Sequence, residues 1–229
     1  MWKNLIQIAG VKNLEEAETL ISKGVKFIGF PLRLTVNAED TTEEEAKSII
    51  EAIKSRSIPV LITYLSRANE IDEFCKYLGV SVVQLHGEIE VAELEKLKRV
   101  NPELQIIKSL VIRENNFSLL AETAQTLNFL ADAFITDTFD PETGAEGATG
   151  KTHDWNLSKK LVELSGKPVI LAGGLTPENV FDAIMQVRPA GVDSHTGVED
   201  VYGNKDAEKI ERFVSEARRA FKRIAEQAN

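Results

Sequence analysis

Eight times along its 229 residues the chain repeats one unit: a short, β-branched apolar run followed by a longer charged segment with helical spacing. That repetition is the feature that most limits what it can fold into. The apolar runs are Leu5–Ala9, Val25–Phe30, Pro59–Tyr64, Val80–Leu85, Leu104–Leu110, Ala133–Thr136, Val169–Ala172 and Ala190–Asp193. They are apolar at nearly every position rather than at every second one, which is how strands covered on both faces read. Between them, residues 13–23 open on an Asn cap candidate and carry Leu14, Ala17, Leu20 and Ile21 on one face. Residues 41–54 open Thr41-Thr42-Glu43-Glu44, a start resembling a capping box, and continue a stripe through Ala46, Ile49, Ile50 and Ile53. Residues 68–78, 89–99, 116–130, 156–165, 177–186 and 205–226 complete the helical set. Strict strand–helix alternation implies a parallel sheet with crossover helices. Eight units in this length favour an α/β fold of the closed (β/α)8 TIM-barrel type, one domain over residues 1–229, with an open doubly wound sheet as the alternative.

Composition excludes several classes of function. With 27 Lys and Arg against 36 Asp and Glu, the formal charge is −9, and no basic block stands out, so nucleic acid is not an expected partner. Cys75 is the only cysteine, which rules out an intrachain disulfide and a cysteine-based zinc site. No apolar stretch approaches about 18 residues, so no membrane span is expected. The opening MWKNLIQIAG is too short in its apolar run for a signal peptide. The expectation is a cytoplasmic protein, monomer or homodimer. The three histidines, His86, His153 and His195, follow different strands, and no metal site is expected from them.

In a barrel of this type, chemistry belongs where strands end and the following loops begin. The seventh strand runs into Ala172-Gly173-Gly174-Leu175-Thr176-Pro177. Glycines let backbone N–H groups approach an anion, and a helix start adds a favourable dipole; the plainer reading is a tight turn. The eighth strand ends Asp193-Ser194-His195-Thr196-Gly197, and the two loops together suggest a phosphate site made by Gly173, Gly174, Ser194, Thr196 and Gly197. Asp137, at the end of the sixth strand, is a general acid or base candidate, or else a loop cap. After it comes a loop with Gly144, Gly147, Gly150, Lys151 and Thr152; this superficially resembles a nucleotide-binding loop, but Ala145 stands where its first glycine is required. Gln84 and His86 share one face of the fourth strand, expected to be the inner one, although His86 also fits a hydrogen-bonded core residue. Lys108 is a candidate inward cation at the end of the fifth strand, with a structural ion pair as the alternative.

These motifs have a family likeness. QLHG at 84–87, Asp137-Thr138, TGKTHDW at 149–155, LAGGLTPENV at 171–180, VRPAGVD at 187–193 and TGVE at 196–199 closely resemble phosphoribosylanthranilate isomerase, in order and spacing, across nearly the whole chain. The resemblance implies the (β/α)8 fold, a phosphorylated sugar substrate, no cofactor, and an Amadori rearrangement of tryptophan biosynthesis. It makes Asp137 the acid. The family's base is a cysteine on the first strand with a lysine two positions before it; here those places hold Ala9 and Gln7. The family's arginine for the substrate carboxylate lies in the loop after the second strand, where Arg33 is the only cation and sits nearer the strand. The usual Ser-Ser of the last loop is His195-Thr196.

The reading is therefore an isomerase of this type with Asp137 as acid, His195 as the first candidate for a substitute base, since an imidazole titrates near neutral pH, and Arg33, Gln84, His86 and Asp193 as substrate-binding candidates. The missing thiol predicts weak turnover of the family substrate. Two alternatives stay open: a phosphosugar lyase or aldolase using Lys108 as a Schiff-base amine, and a non-catalytic phosphosugar binder.

Overall fold

A computed structural model describes residues 1–35, 38–113, 115–138 and 152–227. The glycine-rich loop with Gly144, Gly147, Gly150 and Lys151 lies outside the described residues. Eight parallel strands close into a barrel in chain order, each neighbour hydrogen-bonded to the next and β8 back to β1. The units are β1 Leu5–Ala9 with α1 Leu14–Ser22, β2 Phe27–Pro31 with α2 Glu43–Ile53, β3 Ile58–Thr63 with α3 Ala68–Leu78, and β4 Val82–Leu85 with α4 Val91–Val100. Then come β5 Gln105–Ile112 with α5 Phe117–Thr126, β6 Ala133–Thr138 with α6 Trp155–Leu164, β7 Val169–Leu171 with α7 Val180–Val187, and β8 Gly191–Ser194 with α8 Ala207–Gln227.

Local chemistry starts the helices where the pattern says it should. Asn13 accepts from the Glu16 backbone N–H to cap α1, and Thr42 and Glu45 form a reciprocal capping box on α2. Gly79, in the left-handed region at φ 74°, ends α3 and delays β4 to Val82, two residues past its expected start.

Two apolar layers result. Leu5, Ala9, Phe27, Val60, Ile62, Val82, Ile107, Ala133, Ile135, Ile170 and Ala172 fill the barrel. The alternate strand residues, among them Ile8, Ile28, Leu61, Val83, Leu85, Ile106, Leu110, Phe134 and Val192, face the helices. Period two thus assigns every strand side chain to one layer or the other. A polar crossbar spans the interior: Gln7 Nε2 on β1 donates to Gln84 Oε1 on β4 at 2.8 Å, and Gln84 Nε2 lies 2.7 Å from His86 Nε2. β5 and β6 stay paired to the end, Val111 with Asp137 and Ile112 with Thr138, so Asp137 lies inside β6 rather than after it.

Candidate active site

β6 and β8 each deliver one carboxylate to a recess at the C-terminal mouth, lined also by Gly173, Gly174, Leu175, Ser194, His195, Thr196 and Gly197. Asp137 and Asp193 occupy inner positions near the strand ends, where a carboxyl loses its water. Burial pushes Asp137 up to about 7; the Thr138 backbone N–H, donating at 2.8 Å, opposes this, and the Asp193 charge adds to it. Burial pushes Asp193 up to about 6, against the Gln7 amide and the positive charges of His195 and Lys205. Asp193 Oδ1 is buried and has no hydrogen-bond partner among the described residues. Asp137 is therefore a carboxyl that still holds its proton near neutrality, as a general acid must.

Beside the acid, the loops after β7 and β8 are built for close approach. Gly173 and Gly174 both have positive φ, 96° and 61°. A side chain on Gly173 would collide with Thr138 Oγ1, and one on Gly197 with the Leu175 carbonyl oxygen. Ser194 Oγ donates to that same carbonyl at 2.8 Å, so its hydroxyl clamps the two loops together. Asn179 holds the first loop from behind, donating to Gly174 O at 2.9 Å and accepting from Thr176 N at 2.8 Å. Thr138 is fixed in turn by His153, whose Nδ1 is 2.8 Å from Thr138 Oγ1 and whose Nε2 is 2.6 Å from Ser158 Oγ. Burial lowers His153 to about 4 and keeps it neutral. The backbone N–H groups of Gly173, Gly174 and Gly197 find no acceptor among the described residues. Donors without acceptors, in loops that exclude side chains, are what an anion cradle requires.

The other side of the mouth is made of side chains. Gln7 pairs with Asp193 and Ile8 with Ser194 across β1 and β8, and the next step along brings His195 to the top of β1. Its ring lies so close over Gly10 that any side chain there would collide with it. His195 Nε2 is 3.4 Å from Asp40 Oδ1 and 3.5 Å from Glu199 Oε1. Lys205 Nζ reaches the same Glu199 oxygen at 2.6 Å and the His195 carbonyl at 3.1 Å. His195, Asp40 and Glu199 offer three potential metal ligands within 4.8 Å, but the Lys205 ammonium already supplies a cation at the Glu199 oxygen.

Two expected site residues belong elsewhere. Arg33 does not face the mouth: its guanidinium pairs with Glu43, Nε to Oε1 at 2.9 Å, and stacks 3.7 Å over the Phe74 ring on the outer surface. Lys108 is not an inward cation. It stands in register with Leu85 and Phe134, both of the outer layer, and its Nζ donates to Ser109 O at 2.8 Å and Leu85 O at 3.3 Å. β5 continues to Ile112, so Lys108 is mid-strand rather than terminal. Gln84 and His86 do face inward, but as parts of the crossbar, with His86 also 3.4 Å from Ser109 Oγ. Thr196 is exposed at the start of a short 3-10 turn, Thr196–Val198. Cys75, buried in α3, cannot serve the mouth, and burial pushes its thiol up to about 12. Sequence reasoning missed Asp40, Glu199, Lys205 and the Thr138–His153 pair. Only the His195 anchor carried a signal, a TGVE segment whose Glu199 follows it by one helical turn.

Comparison with known proteins bears on this geometry. A family model described as N-(5'phosphoribosyl)anthranilate (PRA) isomerase matches residues 6–216. N-(5'-phosphoribosyl)anthranilate isomerase 2 of Methanosarcina mazei is 36% identical over 224 residues, covering 96% of each chain. Phosphoribosyl anthranilate isomerase of Thermotoga maritima superposes with a TM-score of 0.78 at 27% identity, over 94% of this chain and 98% of that one. A phosphoribosyl anthranilate isomerase solved with reduced 1-(o-carboxyphenylamino)-1-deoxyribulose 5-phosphate gives 0.76 at 25% identity, with the same coverage.

Proposed function

The chain belongs to the N-(5'-phosphoribosyl)anthranilate isomerase family, and from that premise we propose that it isomerises N-(5'-phosphoribosyl)anthranilate to the deoxyribulose phosphate, a step of tryptophan biosynthesis in the cytoplasm. The observation that carries the reading is the pairing of a protonated carboxyl, Asp137, with the anion cradle of Gly173, Gly174 and Gly197 in one recess. The cradle holds the sugar phosphate through backbone N–H groups. Asp137 gives its proton to the ring oxygen as the bond from that oxygen to the anomeric carbon breaks, which leaves a protonated imine. A base then removes the proton from the neighbouring carbon. That electron pair forms a carbon–carbon double bond while the imine electrons return to nitrogen, and the enol relaxes to the ketone. Asp193, with one orphaned oxygen beside the acid, binds a sugar hydroxyl. No cofactor enters these steps.

The test is turnover of N-(5'-phosphoribosyl)anthranilate followed by the loss of its fluorescence, with inorganic phosphate as competitor. Turnover inhibited by phosphate supports the reading. An inert protein that leaves the substrate unbound overturns it.

A further inference from the structure

The base that this reading requires has no thiol to fill it, since position 9 is alanine and Cys75 is buried in α3. Three of the places where the sequence departs from the family likeness are the first strand's end, the loop after the second strand and the His195-Thr196 pair. They are far apart in the chain, yet the fold brings them together. Gly10, next to Ala9, lies under the His195 ring, and Asp40, from the loop between β2 and α2, faces Nε2 of that ring. Building on the proposed isomerase reading, we infer that His195 is the proton acceptor of this enzyme and that Asp40 positions it, with Glu199 and Lys205 completing the clamp.

The geometry follows the logic of an imidazole base backed by carboxylate. With Nε2 carrying its hydrogen toward Asp40 and Glu199, Nδ1 is left as the unprotonated nitrogen. When His195 accepts the substrate carbon's proton, the new positive charge sits between two carboxylates. The proton returns to the product carbon as the enol becomes the ketone, and Asp137 recovers its own from the enol hydroxyl, so the cycle closes without another reactant. Lys205 is buried at its amino end and holds both Glu199 and the His195 carbonyl, which fixes the ring from below. Burial would raise the Asp40 carboxyl, but its hydrogen bond with His195 and the charges of His195, Lys205 and Lys12 hold it below the usual range, so it is an anion at working pH. Among the described residues, the charged and titratable groups around the ring are Asp40 and Lys12 from the loops after β2 and β1, Asp193 from β8, Glu199 and Lys205 beyond it, and Asp137 across the recess.

Asp40→Asn keeps the shape and removes the charge. It should cut kcat/KM about ten-fold or more and move the acidic limb of the pH profile to lower pH, because the imidazolium loses a neighbouring anion. The NMR titration of His195, assigned by its loss in His195→Gln, should move the same way, while Asp40→Glu should restore both. His195→Gln should lose about 10²–10⁴ in kcat, and Ala9→Cys in that background should recover part of it. Full turnover in His195→Gln, or an Asp40→Asn variant whose pH limb and His195 titration both stay put, overturns the inference. If the wild type does not turn over N-(5'-phosphoribosyl)anthranilate, the functional reading fails by itself. The His195 titration, recorded with inorganic phosphate bound, then decides the pairing: movement in Asp40→Asn supports it and no movement overturns it.

Discussion

The two halves of the mouth are made of different materials. On the β7–β8 side the mouth presents backbone N–H donors, and the residues around them bend and brace two loops: Gly173 and Gly174 in the left-handed region, Ser194 and Asn179 tying carbonyls down. On the β1–β2 side it is side chains that cluster: His195, Glu199 and Lys205 from the connection after β8, and Asp40 from the loop after β2. A backbone cradle depends on a few residues being absent of side chain, so it tolerates little change and stays readable as a motif. A side-chain cluster can be rebuilt by substituting one partner at a time. That is where this chain has alanine for a thiol and a histidine for a serine of the family pattern.

The largest effect expected from breaking this division is at Asp137, the proposed acid between the two halves. Asp137→Asn should lower turnover by about 10² or more, because the amide keeps the shape but has no proton to give, while inorganic phosphate still binds. Loss of phosphate binding along with turnover would mean that the two halves are not separable. Next is the cradle itself. Gly197→Ala drives a methyl into the Leu175 carbonyl, so the two loops must part. Stability should fall by about 1–3 kcal/mol and phosphate affinity with it, read by thermal unfolding with and without phosphate, whereas the His195 titration should hardly change.

The buried carboxyl pair gives a pH prediction. Both folded values are raised, to about 7 and about 6, so the fold favours the protonated acids. The stability they contribute is full below the unfolded value near 4 and is lost as pH rises through 6 to 7. Asp193→Asn should therefore be more stable than the wild type at pH 8, by on the order of 1–3 kcal/mol, with the difference fading toward pH 4. Turnover should decline above pH 7 as Asp137 ionises. Melting temperatures across pH 4–8 check the first statement and a kcat profile the second. The smallest effect is expected at Arg33. Its half-exposed pair with Glu43 and its stacking on Phe74 should contribute only about 0.5–1 kcal/mol, so Arg33→Gln should leave KM unchanged. A rise in KM would show that the guanidinium turns into the mouth when substrate binds.

Local pattern was enough for much of the molecule. Eight apolar runs and eight amphipathic segments already dictate a parallel α/β sheet and favour its closed form, because a strand buried on both faces and a helix with one apolar stripe have few ways to cover each other; closure over an open doubly wound sheet is seen in the pairing of β8 with β1. The position of Asp137 and of the last two loops' glycines at the barrel mouth was legible for a similar reason: a carboxyl near a strand end and a Gly-Gly turn are set by neighbours one to three residues away. What the sequence could not decide was direction and long-range company. Side chains alternate along a strand, so the face of Lys108 depends on register. β5 also runs two residues further than its apolar run, leaving Lys108 within the strand instead of at its end. Arg33 had two possible destinations, and the choice fell to Glu43 and Phe74 on the next two helices. Asp40 gave no local sign of the contact it makes, since its partner His195 lies far along the chain. Only the closure of β8 onto β1, which carries His195 over Gly10 and under Asp40, puts that carboxylate and imidazole within reach of each other.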